Sequence, residues 1–474
     1  MQVSSVNYSE IDLGNRIDAE YFQPTYLHIE DKLLRHNAEP LRNYCSITGS
    51  AFYPAATHLY EIGDLPFMRC VDCISYPVIT RKQDDLFEKI PSEFANEHKN
   101  IKRLKKSEIV ITKVGTPCYA SIIHDIDDVS LSRTVLGLKA IKDIDPYYLV
   151  AFLRSRYGFL QLVRERELTI QLQLTLERVG NILIFKPIDK NFEILVASCF
   201  NLYEEANRES ELLFSEAENI VLSELGLTHW QPKHQLTFVK NYSDTEQAGR
   251  IDAEYYQPKY EEIVKAIQGY SGGWDRLGNL VTVKKCLEVG SGEYLDEGIP
   301  FVRVSNISPF EITEEKYISE KLYQEVKQHQ PKKGEILFSK DATPGIAYYL
   351  SDMPSKMIPS GGILRLRSKS DKINNEYLTL VLNSILTKEQ VSRDVGGSVI
   401  LHWRPDQVKE TTVPILPKSK QTQIQQNITE SFALRKQSKH LLECAKRAVE
   451  IAIEQDEETA IHWLEEQTKQ TAKR

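Results

Sequence analysis

Two cysteines at a metal-ligand spacing are the first residues to weigh for chemistry. Cys70-Val-Asp-Cys73 is a C-x-x-C, and thiolates so spaced hold zinc when two further ligands complete a tetrahedron. The chain supplies its own control. PFMRCVDCIS from Pro66 returns as PFVRVSNISP from Pro300, and at that offset of 234 the cysteines become Val304 and Ile307. A cysteine exchanged for Val or Ile behaves as a small hydrophobe. No second C-x-x-C is present, so no metal site is expected. His229 and His234 flank Trp230 and Pro232 at a spacing poor for one helical face. Phosphate loops of the form G-x-x-x-x-G-K-[ST], G-x-G-x-x-G turns, H-E-x-x-H and G-x-S-x-G are all missing. So is the Asn/Asp-Pro-Pro-aromatic tetrapeptide that an amino-methyltransferase needs. No catalytic residue is expected.

Basic turns are better candidates. KKSEIVITKVGTP from Lys105 returns as KKGEILFSKDATP from Lys332. Each copy holds a β-like run ending on a lysine, Lys113 or Lys340, followed by a tight turn. Such a turn can present an ammonium and backbone N–H groups to a phosphate or a base edge; the plain alternative is a β-turn with a solvated lysine. Lys99, Lys102, Arg103, Lys105 and Lys106 extend the first copy into a basic stretch, and Lys332 and Lys333 open the second. Between the halves, LTIQLQLTL from Leu168 differs from GGSVILHWRP from Gly396. Gln171 and Gln173 suit adenine edges, whereas His402 and Arg404 suit guanine. Arg69 and Arg303 also coincide, but inside apolar runs that favour intramolecular hydrogen bonding.

The elements that must position these residues are duplicated. RIDAEYFQPTY at 16–26 and RIDAEYYQPKY at 250–260 share nine of eleven positions. A period near 230 marks a duplicated domain, not a solenoid of short units. Each half has the RIDAEY segment, a mixed region of about 150 residues, then a long helix lacking proline. Those helices are expected over about Asn191–Leu225 and Thr422–Gln467. Val196, Phe200, Phe214 and Val221 in the first, and Ile424, Ile428, Leu442 and Val449 in the second, fall on equivalent heptad stripes, apolar at both ends and polar in the middle. The helices either pack on their own domains or pair as an antiparallel coiled coil. Pairing would bring Ser210 near Ser438. Shorter helices are expected over Tyr147–Gln161 and Glu376–Val391.

A chain of 474 residues with net charge −8 is large enough for several domains, and its overall charge disfavours indiscriminate phosphate binding. The charge is uneven, however. Eight glutamates and one arginine fall between Glu193 and Glu224, while His98–Lys113 is basic, so the two segments suit different partners. Scattered thiols, no apolar run long enough to span a bilayer and no secretory pattern at the start lead to an expected cytoplasmic location without membrane association.

Doubled RIDAEYxQPxY, doubled KKxEIxxxKxxTP, and GGSVILHWRPDQVKETTVPILPKSKQTQI from Gly396 together resemble the specificity subunit of type I restriction-modification systems. The resemblance covers essentially the whole chain. KPIDKN in the first half replaces that family's Pro-rich strand end, which weakens residue-level transfer there. It implies an α+β fold: two mixed α/β target recognition domains in a pseudo-two-fold arrangement, separated by two long antiparallel helices forming a coiled coil. The expected layout is a shared N-terminal segment at 1–34, recognition domains at 35–188 and 269–417, and spacer helices at 189–228 and 418–474. A linker with the repeated RIDAEY segment occupies 229–268.

The resemblance also implies a non-catalytic, DNA-recognising chain. Its partners would be double-stranded DNA and two methyltransferase subunits, which two restriction subunits can join. S-adenosylmethionine, ATP and magnesium would belong to those partners, leaving no cofactor in this chain. A helix of ~35 residues is about 50 Å long, so the two sub-sites are expected about 10 base pairs apart. A DNA-acting enzyme with an unrecognised site and a helical scaffold without nucleic-acid binding are the competing classes.

Overall fold

The computed structural model describes residues 4, 18–167, 172–395 and 401–472. The chain divides into two compact units, one of Met1–Asn207 with Arg435–Arg474 and one of Arg208–Leu434. Gln171 and residues 16 and 17 of the first RIDAEY copy lie outside the described residues.

In the first unit, helix α1 (Pro24–Arg35) opens on a proline, whose fixed φ suits a first helical turn. Strands follow at β1 (Cys45–Gly49), β2 (Leu65–Met68), β3 (Val78–Ile79), β4 (Ile109–Thr112), β5 (Ala120–Ile123), β6 (Val129–Leu131) and β7 (Val135–Ala140). The main sheet has the order β1-β7-β4-β5-β3, antiparallel except where β5 meets β3. β4 is the apolar run before Lys113, and all four of its residues are buried. Alternation assigns its faces. Ile109 and Ile111 enter the core formed with helices α2 (Pro146–Arg154) and α3 (Arg156–Arg164). Val110 enters a second core with Met68, Val129 and Leu131 of the parallel pair β2 and β6. The single helix expected over Tyr147–Gln161 is therefore two. Ser155, fully buried in extended backbone, ends α2 and accepts from the Gly158 N–H at 3.4 Å to start α3. Gly158 is required at this corner, because a Cβ there would lie 2.2 Å from the Phe152 carbonyl oxygen. Helix α4 (Lys190–Glu224) follows.

The second unit repeats this plan with α5 (Pro258–Gln268), β8 (Val281–Lys285), β9 (Ile299–Val302), β10 (Ile336–Ser339), β11 (Ala347–Tyr349), β12 (Ile358–Pro359) and β13 (Ile363–Ser368). Its main sheet runs β8-β13-β10-β11, and β9 pairs with β12 in parallel. Ile336 and Phe338 face one core and Leu337 the other. The helix expected over Glu376–Val391 is likewise split at Ser384, into α6 (Asn375–Asn383) and α7 (Ile385–Asp394).

The RIDAEY repeat has a structural occupation. The Arg164 guanidinium at the end of α3 lies 4.1 Å from the Tyr21 ring and donates to the Tyr21 carbonyl at 2.9 Å. The Tyr21 hydroxyl donates to Glu165 at 2.7 Å, and burial, with the Glu165 charge second, pushes it up to about 12. In the other copy Arg393, ending α7, approaches the Tyr255 ring at 5.6 Å. Each motif is clamped to the helix that leads into the divergent loop.

Helix α8 (Lys418–Glu454) stops at Gln455, and Asp456 caps a new helix, α9 (Glu457–Ala472). The second spacer, expected as one helix to Gln467, is thus broken. Pairing of α4 with α8 is antiparallel. In the first unit Val196 and Phe200 pack with Ala445, Val449 and the partly buried Leu442. In the second, Val221 and the partly buried Phe214 pack with Ile424 and Ile428. The expected neighbour of Ser210 is corrected by one heptad. Ser210 Oγ meets Ser431 Oγ at 2.9 Å, and Ser438 donates to Asn207 at 2.8 Å. Ser431 also bonds the Ser210 carbonyl at 2.8 Å, so small polar groups match small polar groups and no large side chain has to give way.

Ser431→Ala should destabilise by about 1–3 kcal/mol, because the Ser210 hydroxyl stays buried without its partner, and Ser210→Ala by less, because Ser431 still donates to the Ser210 carbonyl. The double variant should recover part of that loss in urea unfolding. Coupling between Ser210 and Ser438 in place of this pair would contradict the register.

Candidate nucleic-acid interface

Lys113 and Lys340 leave β4 and β10 into closely similar turns. Lys113 N–H donates to the Thr134 carbonyl at 2.8 Å, and Lys340 N–H to the Gly362 carbonyl at 2.9 Å. Each turn closes on its strand, through Cys118 N–H to the Thr112 carbonyl (3.2 Å) and Gly345 N–H to the Ser339 carbonyl (3.0 Å). Left-handed backbone recurs in both, at Gly115 and Cys118 and at Ala342 and Gly345.

The divergent loops dock on these turns. Leu174 N–H donates to the Lys113 carbonyl at 2.9 Å, and Trp403 N–H to the Lys340 carbonyl at 2.8 Å. Leu174 is fully buried, and Trp403, nearly so, meets Phe338 edge-to-face with centroids 5.7 Å apart. Residues on either side of a buried anchor in extended chain face the other way. Gln173 and Thr175 flank Leu174, while exposed His402 and Arg404 flank Trp403. Gln173 therefore corresponds to His402 and Thr175 to Arg404.

Around these side chains the two units differ. Gln173 Nε2 donates to Glu167 at 3.0 Å, which Arg178 approaches at 3.4 Å. His402 Nδ1 lies 2.8 Å from Asp341 Oδ1, and the other Asp341 oxygen takes the Lys340 ammonium. Arg404 caps a short helix through Gln407. No described acid pairs with the Lys113 ammonium. The turn is thus cationic in the first unit and internally neutralised in the second.

The other basic candidates separate. Lys102 N–H binds Ser50 Oγ at 2.9 Å and its ammonium reaches the Lys99 carbonyl at 3.2 Å. Both belong to the Lys113 end of the sheet, where Gly49 pairs with Leu136 and Thr112 with Val135. Arg103 is held by Asn96 at 2.8 Å and Asp128 at 2.9 Å. Lys105 and Lys106 sit in the turn that leads into β4, at the end opposite Lys113, and Lys332 and Lys333 do the same for β10. The repeated acid explains the repeated turn: Glu108 accepts from Lys105 N–H at 2.7 Å and Glu335 from Lys332 N–H at 3.0 Å.

Burial pushes the Cys70 and Cys73 thiols up, away from the thiolate that metal binding needs. Arg69 is engaged by Asp72 and Glu88, and Arg303 by Glu315. No group of three or more His, Cys, Asp or Glu suited to a metal occurs among the described residues. Nor is any described helix long and apolar enough to cross a membrane. Sequence reasoning missed the anchors Leu174 and Trp403; a large apolar residue between polar ones before a helix cap was the available signal.

A duplicated α+β framework thus pins an unlike polar loop beside a similar lysine turn in each unit. Residues 252–443 match the family described as Type I restriction modification DNA specificity domain. Among solved structures, the type I restriction-modification S subunit from M. genitalium is 13% identical, covering 90% of this chain and 95% of that one, with a TM-score of 0.37. The HsdS subunit from Thermoanaerobacter tengcongensis is 16% identical, covering 74% and 82%, at 0.27. Neither score reaches the level of a shared overall arrangement. No curated protein matches the chain.

Lys113→Ala should weaken DNA binding and lower the slope of log affinity against log salt by about one. Lys340→Ala should change that slope less, because Asp341 already neutralises its charge. Equal slope changes in a salt titration of the two variants would contradict this reading of the turns.

Proposed function

We propose that the chain is the DNA-recognition subunit of a type I restriction-modification complex, each half reading one part of a bipartite site. One observation carries this: both units dock a divergent polar loop onto a constant lysine turn through the same backbone hydrogen bond, in a chain whose second half matches a DNA specificity domain. A shared scaffold with unlike side chains at equivalent reading positions suits two unlike half-sites. The recognition domains are proposed at 35–188 and 269–417, with the long helices between them.

The same reading gives the acidic, partly apolar surface of α4 a protein partner. Ile194, Leu202 and Leu212 are exposed there among glutamates that would repel phosphate. Two methyltransferase subunits are the proposed occupants, with restriction subunits joining them in the cytoplasm. S-adenosylmethionine, ATP and magnesium would be bound by those partners, and this chain would itself catalyse nothing.

The test is co-purification with the products of neighbouring genes, followed by mapping of methylated adenines. Two separated sub-sites centred about 10 base pairs apart are expected. Exchanging residues 35–188 for the matching domain of a relative should change one sub-site and leave the other. A single contiguous motif, or methyl transfer by the pure chain alone, would overturn the proposal.

A further inference from the structure

Ser132-Arg133-Thr134 and Ser360-Gly361-Gly362 occupy one position in the two units. Ser132 N–H donates to the Met68 carbonyl at 2.9 Å and Ser360 N–H to the Val302 carbonyl at 2.8 Å. Thr134 and Gly362 accept from the two turn lysines, as described above. Arg133 therefore corresponds to Gly361. The strand pairings Leu136 with Gly49 and Leu364 with Lys285 carry the register three residues on, from Gly49 to Phe52 and from Lys285 to Glu288. Phe52 corresponds to Glu288.

Contacts agree with this alignment. The Arg133 guanidinium lies 6.0 Å from the Phe52 ring centroid and 5.1 Å from that of Tyr53. In the second unit a Cβ on Gly361 would meet Glu288 Oε1 at 2.6 Å. Glycine there leaves room for the carboxylate where the first unit carries a cation on aromatic rings. Phe52 is 76% exposed, which core packing does not explain. Glu288 is exposed and pairs with no described cation.

The geometry points to Arg133 and Glu288 as opposed specificity-determining residues, Arg133 reading the acceptor edge of a guanine in one sub-site and Glu288 the amino group of a cytosine or adenine in the other. This rests on the DNA-recognition reading above. Aromatic rings beneath a guanidinium hold its planar fork in one orientation, and that fork matches guanine O6 and N7. A carboxylate has the reverse chemistry. Beside phosphates it is repelled, so its place on this rim is explained by a base N–H donor that it accepts. The exposed Phe52 ring adds an apolar surface for a thymine methyl beside the guanine.

The experiment is selection of randomised duplex DNA by the full-length chain, alone and in the complex with which it co-purifies. Wild type should enrich a two-part motif. Arg133→Ala should lose discrimination at one G·C pair by roughly tenfold to a hundredfold, with the other part unchanged. Arg133→Lys should hold affinity yet relax that same pair, because an ammonium lacks the fork. Glu288→Ala should relax one pair in the other part alone. Unchanged motifs in both alanine variants, or a uniform weakening by Arg133→Ala that lysine fully restores, would overturn the inference and leave the DNA-recognition reading standing. If wild type enriches no motif, that reading fails and this inference with it.

Discussion

One backbone hydrogen bond, repeated in both units, ties the variable part of this molecule to its constant part. Leu174 and Trp403 each donate an N–H to the carbonyl of a turn lysine, and each side chain is sunk into the core. A buried N–H without an acceptor is costly, so this contact sets the depth and phase of the loop. With the phase set, neighbouring residues project from the rim whatever their chemistry. Side chains at 173 and 402 can then change without moving the buried anchor.

The rest of the framework protects that contact. Arg164 on Tyr21 and Arg393 near Tyr255 hold the helix ends from which the loops depart. Glutamates 108 and 335 close the turns that begin β4 and β10. The repeated residues are thus mostly structural, and the unlike side chains Gln173 and His402 sit beside the turn lysines at one end of each sheet. A cation–aromatic group in one unit and a carboxylate beside glycine in the other show how far chemistry can diverge on an unchanged backbone.

Much of this was legible in the sequence because duplication is its own alignment. The β-like runs before Lys113 and Lys340, the heptad stripes and the apolar replacement of the cysteines all follow from comparing one half with the other. Helix breaks at Ser155 and Ser384 were not legible, since a serine cap inside an apolar helical pattern competes with continuation of the helix. The serine register was missed by one heptad because heptads repeat, and only matching of side-chain size selects among them. Arg133 and Glu288 were invisible for another reason: Arg133 aligns with Gly361, and Phe52 with Glu288, only through strand pairing, across segments with different offsets. That Gln173 flanks a buried anchor could not be read without Leu174.

One feature of the domain boundary affects synthesis of the chain. The first unit takes its last pieces from the end of the sequence: Ala445, Val449, Ala460 and Leu464 lie in its core. Glu457 also accepts the N–H groups of Ile188 and Asp189 at 2.8 and 2.7 Å, just before α4. The second unit, Arg208–Leu434, is continuous. On a ribosome, the half that emerges first must therefore wait, its apolar seam uncovered, while the later half emerges and completes itself. The seam closes only when residues 435–474 arrive, so a chain cut short near residue 434 would strand the older domain open while sparing the younger.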